Sequence, residues 1–290
     1  MPEGHSIHRY ARQQRDMLGG RTVSAWSPQG RFDAGAAAID GATLVDVEAQ
    51  GKHLFYRFGL PGPLRSELSS CGFAVSTRSR VDHGASDVSM HVHLGLFGHF
   101  RHFHRDPAPP TAGTRLVLAS GETQVHLAGA TTCELIDPAT EAALRARLGP
   151  DPLHDEDPSQ AFAALRRRTV GIGQALLDQR VIAGIGNVYR AEVLFLAGIH
   201  PDRPACDIDR GQFDDLWKTL RSLMTAGERT GRIITIAPVD RDRPPSRLGD
   251  DERLYVYKRT GQPCRRCGTP IRSWDLAART VYACPTCQPA

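Results

Sequence analysis

No run of about 18 apolar residues occurs anywhere in this 290-residue chain, which excludes an obvious membrane-spanning helix. The opening stretch MPEGHSIHRYARQQRD lacks the apolar core of a secretory leader, so an intracellular protein is expected. No GxGxxG follows a strand and no phosphate loop of the ATP-binding kind appears, so neither a nicotinamide nor ATP is expected. Internal repeats and low-complexity blocks are also missing. Charge of one sign is lacking too: 36 Lys and Arg face 32 Asp and Glu, for a net +4. With 23% charged and 40% hydrophobic residues, wholesale disorder and fibrous architectures are excluded. The length suffices for two or three modest domains with real cores.

What is present is unevenly placed. From Gly227 onward there are 12 Lys and Arg against 7 Asp and Glu, so the C-terminal part is basic while the rest is near neutral. That asymmetry fits an anionic partner without demanding one. Four of the seven cysteines fall into two CxxC pairs, Cys264/Cys267 and Cys284/Cys287, while Cys71, Cys133 and Cys206 are scattered. In an intracellular protein this pattern points to metal rather than disulfides.

The chain changes period along its length. Ile7, Tyr10, Ala11, Met17 and Leu18 predict an amphipathic helix over residues 3–18. TLVDVEA, KHLFYRF, DVSMHVHL, TRLVLAS and TQVHLA are short, β-branched and aromatic, with a hairpin turn at Ser120-Gly121-Glu122. They predict a β-sandwich. Beyond Glu134 the pattern turns helical, with Asp137-Pro138 and Asp157-Pro158 as helix starts. GQALLDQ and NVYRAEVLFLAG follow, divided by Ala183-Gly184-Ile185-Gly186. A last long helix carries Phe213, Leu216, Trp217, Leu220, Leu223 and Met224 and is expected to close at Gly227. The fold class is therefore multidomain α+β, with domains expected at 1–134, 135–249 (including a Pro- and Arg-rich linker) and 250–290.

Sixteen residues separate the two CxxC pairs. Four thiolates suit one tetrahedral structural zinc, and so small a module needs the metal to fold. With every ligand a sulfur, no position stays open for catalysis, so the chemistry must lie elsewhere. Arg265, Arg266, Arg272 and Arg279 decorate this module, either as plain surface or as a tip that enters a nucleic-acid groove. Gly184-x-Gly186 before Asn187 reads either as a helix–helix corner or as a nest of amides for a phosphate.

Together, the Met-Pro-Glu-Gly helix, the sandwich, the GIGNVY segment and the four-cysteine finger resemble the formamidopyrimidine-DNA glycosylase/endonuclease VIII family over essentially the full chain. The Met-Pro-Glu-Gly start is similar to the endonuclease VIII branch. The resemblance implies a helix–two-turn–helix around GIGNVY and, after loss of Met1, Pro2 as nucleophile. A terminal amine is far less basic than lysine, so a neutral fraction exists near pH 7. The resemblance further implies that Glu3 protonates the deoxyribose ring oxygen and that Lys52, read as a strand lysine, contacts phosphate and assists catalysis. Asn187 and Arg279 would grip the DNA backbone, and Leu96 and Phe97 would plug the gap left by an extruded base. Without the resemblance, Leu96 and Phe97 would pass for core residues at a strand end.

The implied activity is a bifunctional glycosylase/abasic-site lyase directed at oxidised pyrimidines, acting through a Pro2 iminium with β,δ-elimination. The alternatives are the same chemistry on oxidised purines or chiefly on abasic sites, and a non-catalytic binder of lesion DNA. Most family members carry Pro-Glu where this chain has His5-Ser6, a departure that bears on base excision. Histidines crowd residues 91–104, but no carboxylate cluster is evident beside His91 and His93, so a second metal site is not expected. One structural zinc, no organic cofactor, no catalytic metal, damaged DNA as partner, no membrane, a monomer and a cytoplasmic, nucleoid-associated location complete the expectations.

Overall fold

The computed structural model describes residues 2–61 and 88–290; Met1 and Cys71 lie outside the described residues. Contacts divide the chain into one unit of Pro2 and Ile7–Arg147 and another of Glu3–Ser6 and Leu148–Ala290. Helix α1 (Gly4–Leu18) therefore contributes its first turn to the second unit and its remainder to the first.

In the first unit α1 buries Ile7, Ala11 and Leu18. It also buries Gln14, whose Oε1 accepts the Tyr56 hydroxyl at 2.6 Å, so a polar group inside the core is satisfied. Two antiparallel four-stranded sheets share this core. One runs β1 (Ser24–Trp26), β6 (Thr114–Ser120), β7 (Thr123–Ala128), β5 (His99–His104). The other runs β2 (Thr43–Gln50), β3 (His53–Gly59), β4 (Val88–His93), β8 (Thr132–Ile136). Strand alternation does the sorting: Leu54, Tyr56 and Phe58 enter the core with Met90 and Val92. His53, Phe55, Arg57 and His91 take the opposite face. Helix α2 (Asp33–Ile39) adds Ala36 and Ile39 to the core. The expected sandwich is present, with the histidine-rich run 99–104 as an additional strand.

The helical pattern begins with α3 (Pro138–Ala146), capped by Asp137, which accepts the Thr140 amide at 2.6 Å. This helix belongs to the first unit. Glu141 accepts from Ser89 Oγ (2.7 Å) and Arg145 Nε (2.9 Å), and Arg145 also pairs with Glu48 and stacks over Phe55. Charge pairing rather than apolar burial keeps it there.

The second unit holds α4 (Ser159–Arg166), α5 (Ile172–Ala175), α6 (Asn187–Leu196), α7 (Arg210–Thr230) and the hairpin β9 (Arg272–Leu276)–β10 (Arg279–Ala283). Ahead of α4 the cap is displaced by one residue: Pro158 is the N-cap and Asp157 accepts the Ser159 amide. Helix α7 starts at a full capping box, Asp209 with Gln212. It runs past the expected stop at Gly227 to Gly231, whose φ of 73° makes the left-handed cap. Gly227 lies inside the helix, where any side chain would meet the Tyr189 hydroxyl.

Candidate active site

Helix α6 opens with free amides at its first turn, as every helix does. Here they are occupied from within the protein. The Glu3 carboxylate, fully buried, accepts from Gly186 N (3.0 Å), Val188 N (2.8 Å) and Tyr189 N (3.3 Å). The anion nest read from the glycine pattern thus holds Glu3, not a DNA phosphate. Gly186 has to be glycine, because a side chain there would overlap that carboxylate.

Asn187 starts the same helix. Its Nδ2 donates to the Thr280 carbonyl at 3.1 Å and its Oδ1 accepts from Arg190. Arg190, also fully buried, donates as well to the carbonyls of Thr280 (2.8 Å) and Gly173 (3.3 Å). Burial pulls its pKa down to about 10, which leaves it charged at neutral pH. Arg279 is exposed beside Thr280, immediately after the turn Ala277-Ala278, both at positive φ. The second unit therefore gathers Glu3, Asn187 and Arg279 around one helix start and one hairpin. Arg190 organises them and was missed, although an arginine among the apolar residues of NVYRAEVLFL is the signal that could have found it.

In the first unit, Lys52 is not a strand residue. Gly51-Lys52 forms the two-residue turn between the paired Gln50 and His53, with Gly51 at φ 59°. His53 pairs with His93, so the turn Gly95–Phe97 lies at the same end of β3 and β4. Phe97 is 83% exposed and Leu96 47%, which overturns the core reading of both. Gly95 holds a φ of 65° over Thr131, where a side chain would collide.

Beside Lys52 stands a row of histidines. His53 Nδ1 lies 2.9 Å from His91 Nε2, and His91 Nδ1 lies 3.3 Å from Glu134 Oε1. One carboxylate, Glu134, therefore stands beside the histidines, but not a cluster. Among the described residues only the four cysteines bring three or more ligand atoms together. Burial, with neighbouring His93, His91 and Lys52, lowers the His53 pKa to about 3.

Those cysteines fit a structural metal. All four Sγ atoms lie within 4.8 Å of one another, with Cys264 to Cys287 at 3.9 Å and Cys267 to Cys284 at 3.4 Å. A zinc tetrahedron with bonds of about 2.3 Å has edges near these values.

Three family models cover most of the chain: the formamidopyrimidine-DNA glycosylase N-terminal domain (residues 1–134), its H2TH domain (148–237) and the zinc finger found in FPG and IleRS (261–290). Endonuclease 8 1 of Mycobacterium tuberculosis is 42% identical over 99% of this chain and 100% of its own. The chain belongs to the formamidopyrimidine-DNA glycosylase/endonuclease VIII family. Membership carries the family's general activity, a DNA glycosylase joined to an abasic-site lyase. Probable endonuclease 8 2 of Streptomyces coelicolor is 31% identical over 99% of this chain and 94% of its own. Among solved structures, a complex of Lactococcus lactis Fpg (MutM) with DNA containing N7-benzyl-Fapy-dG superposes with a TM-score of 0.75 over 100% of both chains, at 24% identity. That likeness concerns the family's fold.

Proposed function

We propose that this protein excises oxidised pyrimidines from DNA and then cuts the strand by β,δ-elimination. The observation that carries the reading is Glu3: a carboxylate one residue after Pro2, buried and held by three backbone amides. So much structure spent on fixing a residue next to the chain start fits a reacting end and not a fraying one.

With Met1 removed, the Pro2 nitrogen attacks C1′ of the damaged nucleoside, and the base departs with the electron pair of the broken bond and is protonated from solvent. The Glu3 carboxylate takes up the proline N–H proton and passes it to O4′ as the sugar opens, which leaves an iminium. The iminium withdraws electrons, so loss of a C2′ proton expels the 3′ phosphate and a further proton loss expels the 5′ phosphate. Lys52, Asn187 and Arg279 would each contact backbone phosphate, and Leu96 and Phe97 would fill the stack behind the extruded base. Cys264, Cys267, Cys284 and Cys287 would bind one zinc ion, which supplies folding energy to the finger. The pyrimidine assignment is supported by the Met-Pro-Glu-Gly start and by similarity to proteins named endonuclease 8. A monomer acting on cytoplasmic, nucleoid-bound DNA completes the reading.

Borohydride trapping tests it. Matched duplexes carrying thymine glycol, 8-oxoguanine or an abasic site are offered to the Met1-processed protein, with Pro2→Gly as control. A covalent adduct on thymine glycol that disappears in the control is expected. Adduct only on 8-oxoguanine or only on abasic DNA would overturn the pyrimidine assignment, and tight binding without adduct anywhere would overturn the nucleophile.

A further inference from the structure

Ser6 stands where the family resemblance leads one to look for a carboxylate, and the structure gives it definite work. Its Oγ accepts the Glu3 amide at 3.2 Å and donates to the Glu3 carbonyl at 2.8 Å. Glu3 precedes the first residue of α1, so Ser6 is the third helical residue reaching back to the cap, one half of a capping box. The Glu3 side chain, for its part, accepts from the amides of α6. A carboxylate at position 6 could only accept; a hydroxyl accepts and donates, and so holds both the N–H and the C=O of one residue.

The adjacent residues leave this clamp little play. The Gly4 amide donates to the Gly184 carbonyl at 2.8 Å, and a side chain at Gly4 would press within 2.9 Å of Gly184 Cα. His5 is buried edge-on against Tyr189, with ring centres 5.3 Å apart. His5 therefore packs beneath the helix start.

The Glu3 amide is part of the planar Pro2–Glu3 peptide. Once that plane is fixed, the pyrrolidine ring fixes the N–Cα bond and a single backbone rotation remains between the plane and the proline nitrogen. We infer that Ser6 is a positioning residue that aims the Pro2 amine at the anomeric carbon by clamping the Glu3 peptide. This rests on the proposed role of Pro2 as nucleophile. It also accounts for His5-Ser6 as a change that preserves base excision.

The test compares the full-length, Met1-processed wild type with Ser6→Ala and Ser6→Thr, using saturating enzyme on thymine glycol and abasic duplexes. Three quantities are read: the borohydride-trapping rate, the DNA dissociation constant and amide hydrogen exchange in the N-terminal peptide. Ser6→Ala should trap at least about tenfold more slowly on both duplexes, because a small misplacement of a reacting atom is costly. Its DNA affinity should not change, and exchange at Glu3 should quicken. Ser6→Thr keeps the hydroxyl and should restore the rate. Wild-type trapping by Ser6→Ala, or an equal loss in Ser6→Thr, would overturn the inference. Wild-type protein that traps on no duplex would instead remove the nucleophile reading, and this inference with it.

Discussion

Glu3 takes a carboxylate into a place with no solvent exposure, and three amides do there what water does for an exposed side chain. His53 meets the opposite fate. Burial favours its neutral form, and the nearby His91, His93 and Lys52 add to the effect. Between pH 6.5 and about 3 the unfolded chain binds a proton at His53 that the folded chain refuses. Stability is therefore complete above the unfolded pKa and falls as the pH drops below it. Denaturant unfolding at pH 7.5 and 5.5 should show this residue costing about 1.4 kcal/mol at the lower pH, a loss that His53→Gln removes. An equal loss in the variant would place the protonation elsewhere. Neither burial was legible in the sequence: Glu3 sits beside the chain start, and His53 follows a lysine in a turn.

At the scale of elements, α6 is the organising piece of the second unit. Its periodicity was readable from NVYRAEVLFL, yet two charges within it are fully buried. Arg190 ties Asn187 to the β10 backbone. Glu192 accepts from the amides of Tyr255 (2.8 Å), Val256 (2.9 Å) and Tyr257 (2.8 Å) and from the Thr235 hydroxyl, anchoring the chain that leads into the cysteine module. Glu192→Gln would turn an NH2 group against these donors, and each buried unpaired group costs about 1–3 kcal/mol. The variant should melt several degrees lower and yield its metal faster to a chelator. Unchanged metal release would mean that the module holds itself.

At the scale of the molecule, the two units should respond differently to metal loss. Chelation should unfold the finger, since four cysteines and a small cluster around Tyr255, Val256 and Ile271 are most of what holds it. The sheet unit has its own core and should keep its melting transition. A single transition lost on chelation would contradict this. DNA affinity should fall along with the finger, because Arg279 leaves with it. In intact protein, Arg279→Ala should lower the slope of log affinity against log salt by about one, the signature of one phosphate contact. An unchanged slope would detach Arg279 from the backbone.

The sequence alone determined the parts whose signal is local. Strand alternation, helical periodicity, the CxxC spacing and Asp137 before Pro138 each depend on neighbours within a few residues, and each appears in the structure, although GQALLDQ is helical only within Ile172–Ala175. The end of α7 did not, because Gly227 is a glycine for the sake of Tyr189 and His5, two residues remote in the chain. The occupant of the α6 amides did not either: pattern shows that an anion fits there, but only folding brings Glu3 across 183 residues to Gly186. The exposure of Phe97 and the turn placement of Lys52 were likewise decided by strand register, which links residues far apart in sequence. Composition and spacing name the groups a site needs; long-range contacts settle which of them meet, because burial and hydrogen bonding are properties of the folded neighbourhood and not of the residue.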